Sequence, residues 1–257
     1  MNLKKYKFIL FLKHWISLFV DIKKLISLIY LPKFFWDFYI LRKSEIMSVN
    51  ILDFYPCLSD NLPNTPFDAH YFYQSTWFAR ELCKFSDLKS KHYDIGSDIK
   101  IVGIISAFIT TIFIDFRPLN VNISNFSSES GDILNLKYSD NSINSLSTLH
   151  VIEHIGLGRY GDPINSSGSI QALKEIQRVL SINGILYLSI PVGRESVHFN
   201  AHRVFNTNTI ITTLNKLSLL SFSLITDDGK LIEDASNDIA NMQSYGCGLF
   251  VFKKIIL

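Results

Sequence analysis

The segment from residue 169 to residue 191 restricts the fold of this chain more than any other part of the sequence. Apolar residues recur at helical spacing on one face of residues 169–180, and charged residues occupy the opposite face. Asn183-Gly184 then supplies a turn, and residues 185–190 form an uninterrupted apolar run that ends at Pro191. An amphipathic helix followed by a fully buried strand is typical of a parallel sheet covered by helices. We therefore expect an α/β fold.

The sequence after about residue 65 alternates between strand and helix patterns. Thr65-Pro66 predicts the start of a helix that reaches about Phe85, because threonine caps helices and proline suits their first position. Residues 99–109 predict a second helix. One predicted strand ends near Asp94, and further strands are predicted at residues 111–115, 142–148, 219–226 and 249–253. Residues 132–136 are expected to form an edge or loop segment. This alternation predicts a doubly wound, mostly parallel, Rossmann-like sheet.

The length and composition suggest three regions. A chain of 257 residues is long enough for one α/β domain, which we place at residues 67–257. Three prolines among polar residues mark residues 48–66 as a linker. Residues 1–47 are predicted to form a basic, apolar helical extension, with nine Lys and Arg residues against three acidic ones.

Two interpretations of the extension remain open. Its longest uncharged run, residues 25–32, is far too short to cross a bilayer, and no secretory cleavage pattern follows an apolar core. Basic residues among bulky apolar ones suit a helix that lies peripherally on the inner face of a membrane, which we slightly favour. Alternatively, the extension packs against the domain or a partner protein.

Charge and cysteine content exclude several classes of partner. A formal net charge of +2 is too small to predict nucleic-acid binding. Cys57, Cys83 and Cys247 are widely spaced and form no CxxC pair, which argues against a disulfide scaffold or a thiolate zinc site. We expect three buried, inert thiols, a cytoplasmic protein and no bound metal.

Polar residues that follow the predicted strands are the candidates for ligand binding, because open parallel sheets bind ligands at the carboxyl ends of their strands. Asp115 follows Asp94 by about 20 residues, the spacing at which nucleotide-binding folds place an acidic residue on a ribose. Asp132 is placed to accept a hydrogen bond from an adenine amino group, with Ile133 against the ring. The predicted cofactor-binding residues are Asp94, Gly96, Ser97, Asp115, Asp132, Ile133 and His150.

Two later segments supply candidates for substrate binding and catalysis. The glycine-rich loop at residues 156–168 is long for its position, which favours a functional loop in which Arg159, Tyr160 and Asp162 contact substrate. An Arg159–Asp162 ion pair that only shapes the loop is equally compatible with the sequence. The second segment, residues 198–204, adds His202 as a candidate catalytic base, with Asn200 and Arg203 as further substrate residues. His154 is the second catalytic candidate.

The pattern His150-Val-Ile-Glu153-His154 is also that of the inverted zinc proteases. That chemistry requires both histidines on one helix face, with the glutamate activating a water molecule. The preceding residues are strand-like, and Gly156 and Gly158 would end a helix early. We therefore favour His150 near a nucleotide cofactor and keep the zinc-protease interpretation as the weaker alternative.

Five segments together carry a family resemblance, namely residues 92–97, 113–115, 131–133, 147–155 and 178–191. In these segments the chain resembles class I S-adenosylmethionine-dependent methyltransferases. A narrower set, residues 71–77, 94–97, 153–163 and 199–203, resembles the uncharacterised methyltransferase-like family called domain of unknown function 268, over about residues 65–253. The resemblance implies S-adenosylmethionine as cofactor, with Gly96 at its methionine end, and a sugar-containing, glycan or other small acceptor.

The first loop departs from the full family pattern, D-x-G-x-G-x-G. Asp98 and Lys100 stand where the second and third glycines would allow the cofactor to approach the backbone. Cofactor binding is therefore conditional on the altered loop. We expect methyl transfer to oxygen or nitrogen, and the alternative is a non-catalytic scaffold in a cell-surface glycan pathway that has kept only the fold.

Overall fold

A computed structural model describes residues 8–9, 11–12, 15–17, 19–44, 50–85, 87 and 89–255. The chain divides into two compact units, Met1–Phe67 and Asp68–Leu257. Of the predicted extension, residues 1–7, 10, 13–14, 18 and 45–47 lie outside the described part of the chain.

The first unit consists of short helices. Helix α1 covers Ile22–Ser27 and is capped by Asp21, whose carboxylate accepts hydrogen bonds from the backbone N–H groups of Lys23 and Lys24 (3.0 and 3.3 Å). Helix α2 covers Leu31–Ser44, with 3₁₀ turns at Leu28–Tyr30 and Ile51–Asp53. None of the helices in the described residues is both long and apolar enough to span a bilayer.

The second unit is built on an eight-stranded sheet with the order β3-β2-β1-β4-β5-β10-β8-β9. Its strands are β1 (Lys91–Ile95), β2 (Thr110–Asp115), β3 (Phe126–Ser130), β4 (Ile143–Leu149), β5 (Leu180–Val192), β8 (Leu217–Ile225), β9 (Leu231–Ile232) and β10 (Gly246–Lys254), and a separate hairpin pairs β6 (Ser196–His198) with β7 (His202–Val204). The helices are α3 (Ala69–Phe85), α4 (Ile99–Ile105), α5 (Gly168–Val179), α6 (Thr207–Thr213) and α7 (Asn237–Met242).

The first five strands in this order, from β3 to β5, are parallel to one another. The remaining three, β10, β8 and β9, each pair antiparallel with the strand before them in the order. β10 lies between β5 and β8 and is antiparallel to both. The predicted doubly wound, mostly parallel sheet is thereby confirmed, as are the N-terminal helices.

Two hydrophobic clusters cover the two faces of the sheet, because side chains alternate along each strand. On β10, Cys247, Leu249 and Val251 face one cluster with α3 and α4, whereas Phe250 and Phe252 face the other with α5 and α6. Both clusters consist entirely of residues of the second unit. The sheet is therefore the middle layer of three.

Several predicted boundaries were wrong. Helix α3 begins at Ala69 rather than at Thr65-Pro66, since the carboxylate of Asp68 accepts the N–H of Tyr71 (3.2 Å) and caps it. The turn at Asn183 (φ +64°) lies inside β5, where the register with β4 shifts, so the strand begins before it and continues past Pro191. Strand β3 was not predicted, because its sequence, FSSES, is mostly polar.

Candidate active site

A cleft of about 700 Å³ opens at the carboxyl ends of β1, β2 and β4. It is lined by residues 95–100, 113–117, 119, 131–134, 150–151, 154–156, 160, 162–163 and 165. Six residues predicted to bind a cofactor lie in this wall: Gly96, Ser97, Asp115, Asp132, Ile133 and His150. The cleft also includes Tyr160, Asp162 and His154 from the predicted substrate and catalytic sets. Asp94, Arg159, Asn200, His202 and Arg203 do not line it.

The loop after β1 is organised around a buried carboxylate. Asp94 accepts hydrogen bonds from the backbone N–H and the hydroxyl of Ser97 (3.1 and 2.7 Å), and the Ser97 hydroxyl accepts the N–H of Leu149 (2.9 Å). Gly96 in this turn has a φ of +68°, and an added Cβ would lie 3.1 Å from Val151. Asp94 therefore shapes the loop from the protein interior, and Gly96 presents backbone to the cleft.

Asp98 and Lys100, which replace the two family glycines, both line the cleft. The Asp98 carboxylate accepts the backbone N–H of Lys100 (2.8 Å) and caps α4. Asp98, one of the two residues that depart from the glycine pattern, therefore stabilises the start of α4.

The ends of β2 and β3 provide an acidic group beside an apolar surface. Asp115 accepts the N–H of Arg117 at Oδ1 (2.7 Å), while its Oδ2 would lie 3.7 Å from a Cβ added at Gly96. Asp132 forms a local turn by accepting the N–H of Leu134 (2.8 Å), and the side chain of Ile133 is buried. Such a combination can bind a polyhydroxyl group next to a flat apolar ring.

The loop after β4 is held by Asp162 rather than by an ion pair. Its carboxylate accepts the backbone N–H groups of Gly156 (2.6 Å) and Tyr160 (3.3 Å). Burial alone would raise the pKa of Asp162, but these backbone donors lower it below its ordinary value. Arg159 donates instead to the carbonyl of Ala201 (3.2 Å). The suggested Arg159–Asp162 pair is thus not among the ion pairs of the described residues.

Tyr160, which lines the cleft, has two guanidinium groups close to its ring. Arg117 and Arg159 each lie 5.1 Å from the centre of its ring, within cation–π distance. Tyr160 itself is 45% exposed, so this arrangement is accessible to a ligand.

His154 is the candidate base that the structure brings to the cleft. Its Nδ1–H donates to the carbonyl of Ala201 (2.6 Å), which leaves Nε2 as the unprotonated nitrogen of the neutral ring. Burial lowers the pKa of His154, and Arg159 and His150 lower it further, whereas Glu153 acts in the opposite direction. The imidazole is therefore neutral at neutral pH.

The candidates from residues 198–204 do not line the cleft. His202 packs against the rings of His198 and Tyr245 (4.7 and 4.5 Å between centres), and burial together with His198 lowers its pKa to about 4. Arg203 is buried and donates to the carbonyls of Ile155 (2.6 Å) and Asn165 (3.2 Å). Arg203 therefore fixes the loop after β4, and Asn200 occupies the turn of the β6–β7 hairpin with a φ of +61°.

The sequence analysis missed a cluster of His70, His150 and Cys247, which come from α3, the end of β4 and β10. Their potential ligand atoms all lie within 4.8 Å of one another. His154 is not part of the group, and residues Ile152–His154 form only a 3₁₀ turn. The protease geometry of two histidines on one helix face is therefore not formed. No local pattern signals this cluster, since each member lies in a different element.

The expectation of three buried thiols was wrong for two of them. Cys247 is buried, whereas Cys57 and Cys83 are exposed, and all three are free.

The strand order, with an antiparallel β10 between β5 and β8, and the cleft at the carboxyl ends of β1, β2 and β4 define a class I methyltransferase fold. Residues 120–249, half of the chain, match the family described as "Caenorhabditis protein of unknown function, DUF268". The chain belongs to this family. No curated protein matches the sequence.

Several solved structures share the fold at low sequence identity. The N-methyltransferase NodS from Bradyrhizobium japonicum WM9, in complex with S-adenosyl-L-homocysteine, is 16% identical over 77% of this chain and 91% of its own, with a TM-score of 0.51. YcgJ from Bacillus subtilis is 14% identical over 72% of this chain and 100% of its own, also with a TM-score of 0.51. The cyclase SpnF is 14% identical over 70% of this chain and 81% of its own, with a TM-score of 0.51. A cyclase among these structures illustrates that the fold does not fix the reaction.

Proposed function

We propose that this chain is an S-adenosylmethionine-dependent methyltransferase that acts on a sugar-containing or other small acceptor. The observation that carries the proposal is that the Asp115 carboxylate lies beside Gly96 in the wall of the cleft. A carboxylate oxygen faces a glycine that has no side chain and a positive φ, so a ligand can contact both.

The residues of the cleft fit the cofactor. Its volume of about 700 Å³ lies within the usual range for small-molecule sites. Asp115 would accept the ribose hydroxyls, Asp132 the adenine amino group, and Ile133 would pack on the adenine ring. Asp98 and Lys100 offer one acidic and one basic side chain at the end of the cleft where Gly96 lies, to a group that carries both an amine and a carboxylate. When bound, the cofactor supplies an electrophilic methyl group.

The acceptor is proposed to bind beside His154 and Tyr160. The unprotonated Nε2 of His154 can take the proton that an acceptor hydroxyl or amine loses. His154, rather than His202, is therefore the base that we propose, since His202 lies outside the cleft. Arg117, Arg159 and Tyr160 would orient a polar acceptor, and positioning contributes much of the rate in direct group transfer. The N-methyltransferase NodS supports nitrogen as one possible acceptor atom.

Titration calorimetry with S-adenosylmethionine tests this function. We expect saturable binding, and we expect Asp115→Ala to weaken it at least about tenfold, because charge-assisted hydrogen bonds to hydroxyls contribute roughly 1.5–3 kcal/mol. Asp238→Ala, in the first turn of α7, is a matched control that should bind normally. An absence of heat at millimolar cofactor would instead favour the non-catalytic scaffold, and unchanged affinity in Asp115→Ala would refute the ribose assignment.

We further propose that residues 1–47 bind peripherally to an anionic membrane surface. Many large apolar side chains of this segment are exposed, among them Phe8, Phe11, Trp15, Phe19 (83% exposed), Ile29 and Trp36 (63%). Basic residues interleaved with such side chains favour the headgroup boundary, where rings are buried and ammonium groups remain hydrated.

A further inference from the structure

His70, His150 and Cys247 converge from three separate elements on one side of the sheet. Cys247 belongs to the hydrophobic cluster covered by α3, the helix that carries His70. His150 follows β4 and has a φ of +56°, a conformation that is unfavourable for a residue with a Cβ. Backbone strain of this kind persists only where the surrounding structure enforces it. The three potential ligand atoms lie within 4.8 Å of one another.

The tautomer of His150 leaves a nitrogen available in this cluster. Its Nδ1 lies 2.7 Å from Oε1 of Glu153, a carboxylate that can only accept, so Nδ1 carries the proton. When the ring is neutral, Nε2 is the unprotonated nitrogen. It is buried, it has no hydrogen-bond partner of ordinary geometry among the described residues, and the Cys247 sulfur is a polar neighbour of the ring. A buried acceptor without a donor costs free energy unless something binds it.

The arrangement of Glu153, His150 and the neighbouring thiol matches what metal-binding histidines use. Such histidines almost always donate their second ring N–H to a carboxylate or carbonyl, which fixes the ring and makes the ligating nitrogen more basic. Glu153 is 0% exposed, and its second oxygen, Oε2, has no hydrogen-bond partner in the part of the chain that the structure describes. A cation beside His150 would compensate the buried charge of this carboxylate and of a Cys247 thiolate.

The geometry points to a binding site for one divalent cation of the zinc type, with His70, His150 and Cys247 as ligands and Glu153 as a positioning residue. Two imidazole nitrogens and a thiolate form a ligand set that zinc and cobalt prefer to the hard cations magnesium and calcium. Three protein ligands leave a fourth position for water or for a small oxygen or nitrogen ligand.

His70 is the ligand that must adjust on binding. Donor atoms of a tetrahedral zinc site lie roughly 3.5 Å apart, closer than the 4.8 Å limit of the cluster. His70 is only half-buried, and its ring lies nearly parallel to those of His150 and Tyr245, at 5.8 and 5.5 Å between centres. A small inward movement of this side chain therefore closes the site, while His150 and Cys247 remain fixed in the interior.

A nucleophilic cysteine is the rival use of the same residues, because Cys247, His150 and Glu153 follow the order of nucleophile, base and orienting acid. Cys247 is 0% exposed and does not line the cleft. A carbon electrophile with its substituents cannot reach such a sulfur atom, whereas a single ion can. Metal binding is therefore the use that burial favours.

Metal content and cobalt spectroscopy of the purified full-length chain test the site. After treatment with a chelator, we expect one equivalent of Zn²⁺ to bind per chain. Co²⁺ should bind in its place and give the near-ultraviolet charge-transfer band of a thiolate ligand. Cys247→Ser should abolish that band, and His70→Gln should weaken Zn²⁺ binding at least about tenfold. Glu153→Gln, which keeps the shape of the side chain but removes its charge, should weaken Zn²⁺ binding about 10- to 100-fold.

Two exposed residues provide matched controls. Cys83→Ser and His198→Gln remove one thiol and one imidazole outside the cluster, and both should leave metal affinity unchanged. Circular dichroism establishes that each variant is folded. If Cys247→Ser does not fold, His70→Gln decides the question, because its side chain is half-buried. Less than about 0.1 equivalent of bound metal would overturn the proposal, as would unchanged affinity in His70→Gln. A cobalt charge-transfer band that persists in folded Cys247→Ser would overturn it too. None of these readouts depends on cofactor binding or methyl transfer.

Discussion

At the scale of single residues, a buried polar chain supports the loop after β1. The hydroxyl of Ser147 donates to Asp94, so it must accept from Nε2–H of His92 (2.8 Å), and Nδ1 of His92 then accepts from Ser145 (2.8 Å). Burial lowers the pKa of His92 to about 3. Burial also raises the pKa of Asp94 to about 6, despite opposing hydrogen bonds from Ser147 and Ser97. The two groups therefore affect stability in opposite directions as the pH falls.

We predict that His92→Gln changes the pH dependence of unfolding. Between pH 6.5 and about 3, the unfolded state binds a proton at His92 that the folded state does not, so wild-type stability is lost as the pH falls. Asp94 has the opposite sign, because below pH 6 the folded state binds its proton before the unfolded state does. As the pH falls through this window, the free energy of unfolding of His92→Gln should therefore rise relative to that of the wild type. The difference should grow by at most about 1.4 kcal/mol per pH unit.

Urea unfolding at several pH values from 4 to 7 measures this difference. Asp94→Asn is the counterpart variant and should lose stability more steeply than wild type as the pH falls from 6 to 4. Parallel stability curves for wild type and His92→Gln would contradict the assignment of a neutral, buried His92.

At the scale of elements, the end of α5 depends on a lysine from the last strand. Nζ of Lys254 on β10 donates to the carbonyls of Gln177 (2.5 Å), Leu180 (2.8 Å) and Arg178 (3.3 Å). The last carbonyls of a helix have no partner within it, and a cation there also interacts favourably with the helix dipole. The junction of α5 and β5, which the sequence predicts most clearly, is thus completed by a residue from far along the chain.

We predict that Lys254→Met lowers the free energy of unfolding by roughly 2–3 kcal/mol, because buried carbonyls lose a charged donor. Lys253→Met is the matched control on the same strand. Its side chain points to the opposite side of the sheet and has no polar partner among the described residues, so we expect a change within about 0.5 kcal/mol. Chemical denaturation of both variants decides the matter, and equal losses would show that the carbonyl contacts contribute little.

At the scale of the whole molecule, the two units can be separated experimentally. Both hydrophobic clusters lie within residues 69–254, so removal of residues 1–47 leaves the core of the second unit intact.

We predict that the full chain sediments with vesicles containing anionic lipid and that a variant lacking residues 1–47 remains in the supernatant. High salt should weaken sedimentation of the full chain, because basic residues contribute through screened attraction. Neutral vesicles serve as the control surface. Equal sedimentation of both proteins, or none of the full chain, would contradict membrane binding and favour packing against a protein.

The fold could be predicted from the sequence to a large extent because it depends on local patterns. Periods of two and 3.6 residues mark the principal strands and helices, and acidic residues directly after strands mark the sheet edge. Gly96, Asp115, Asp132 and Ile133 were found in this way, and the structure brings them to one cleft. Strand β3 could not be found, since an edge strand with little buried surface has no apolar alternation.

The sequence by itself determined the α/β alternation of this protein and the positions of the residues that follow its strands. Only the tertiary structure decided which of these residues share a surface. Arg203 holds a loop, His202 lies against Tyr245, and His150 meets His70 and Cys247. The physical reason is that periodicity records the environment of each element separately, whereas a polar cluster forms between elements that are distant in sequence and is fixed by how the helices and strands pack on one sheet.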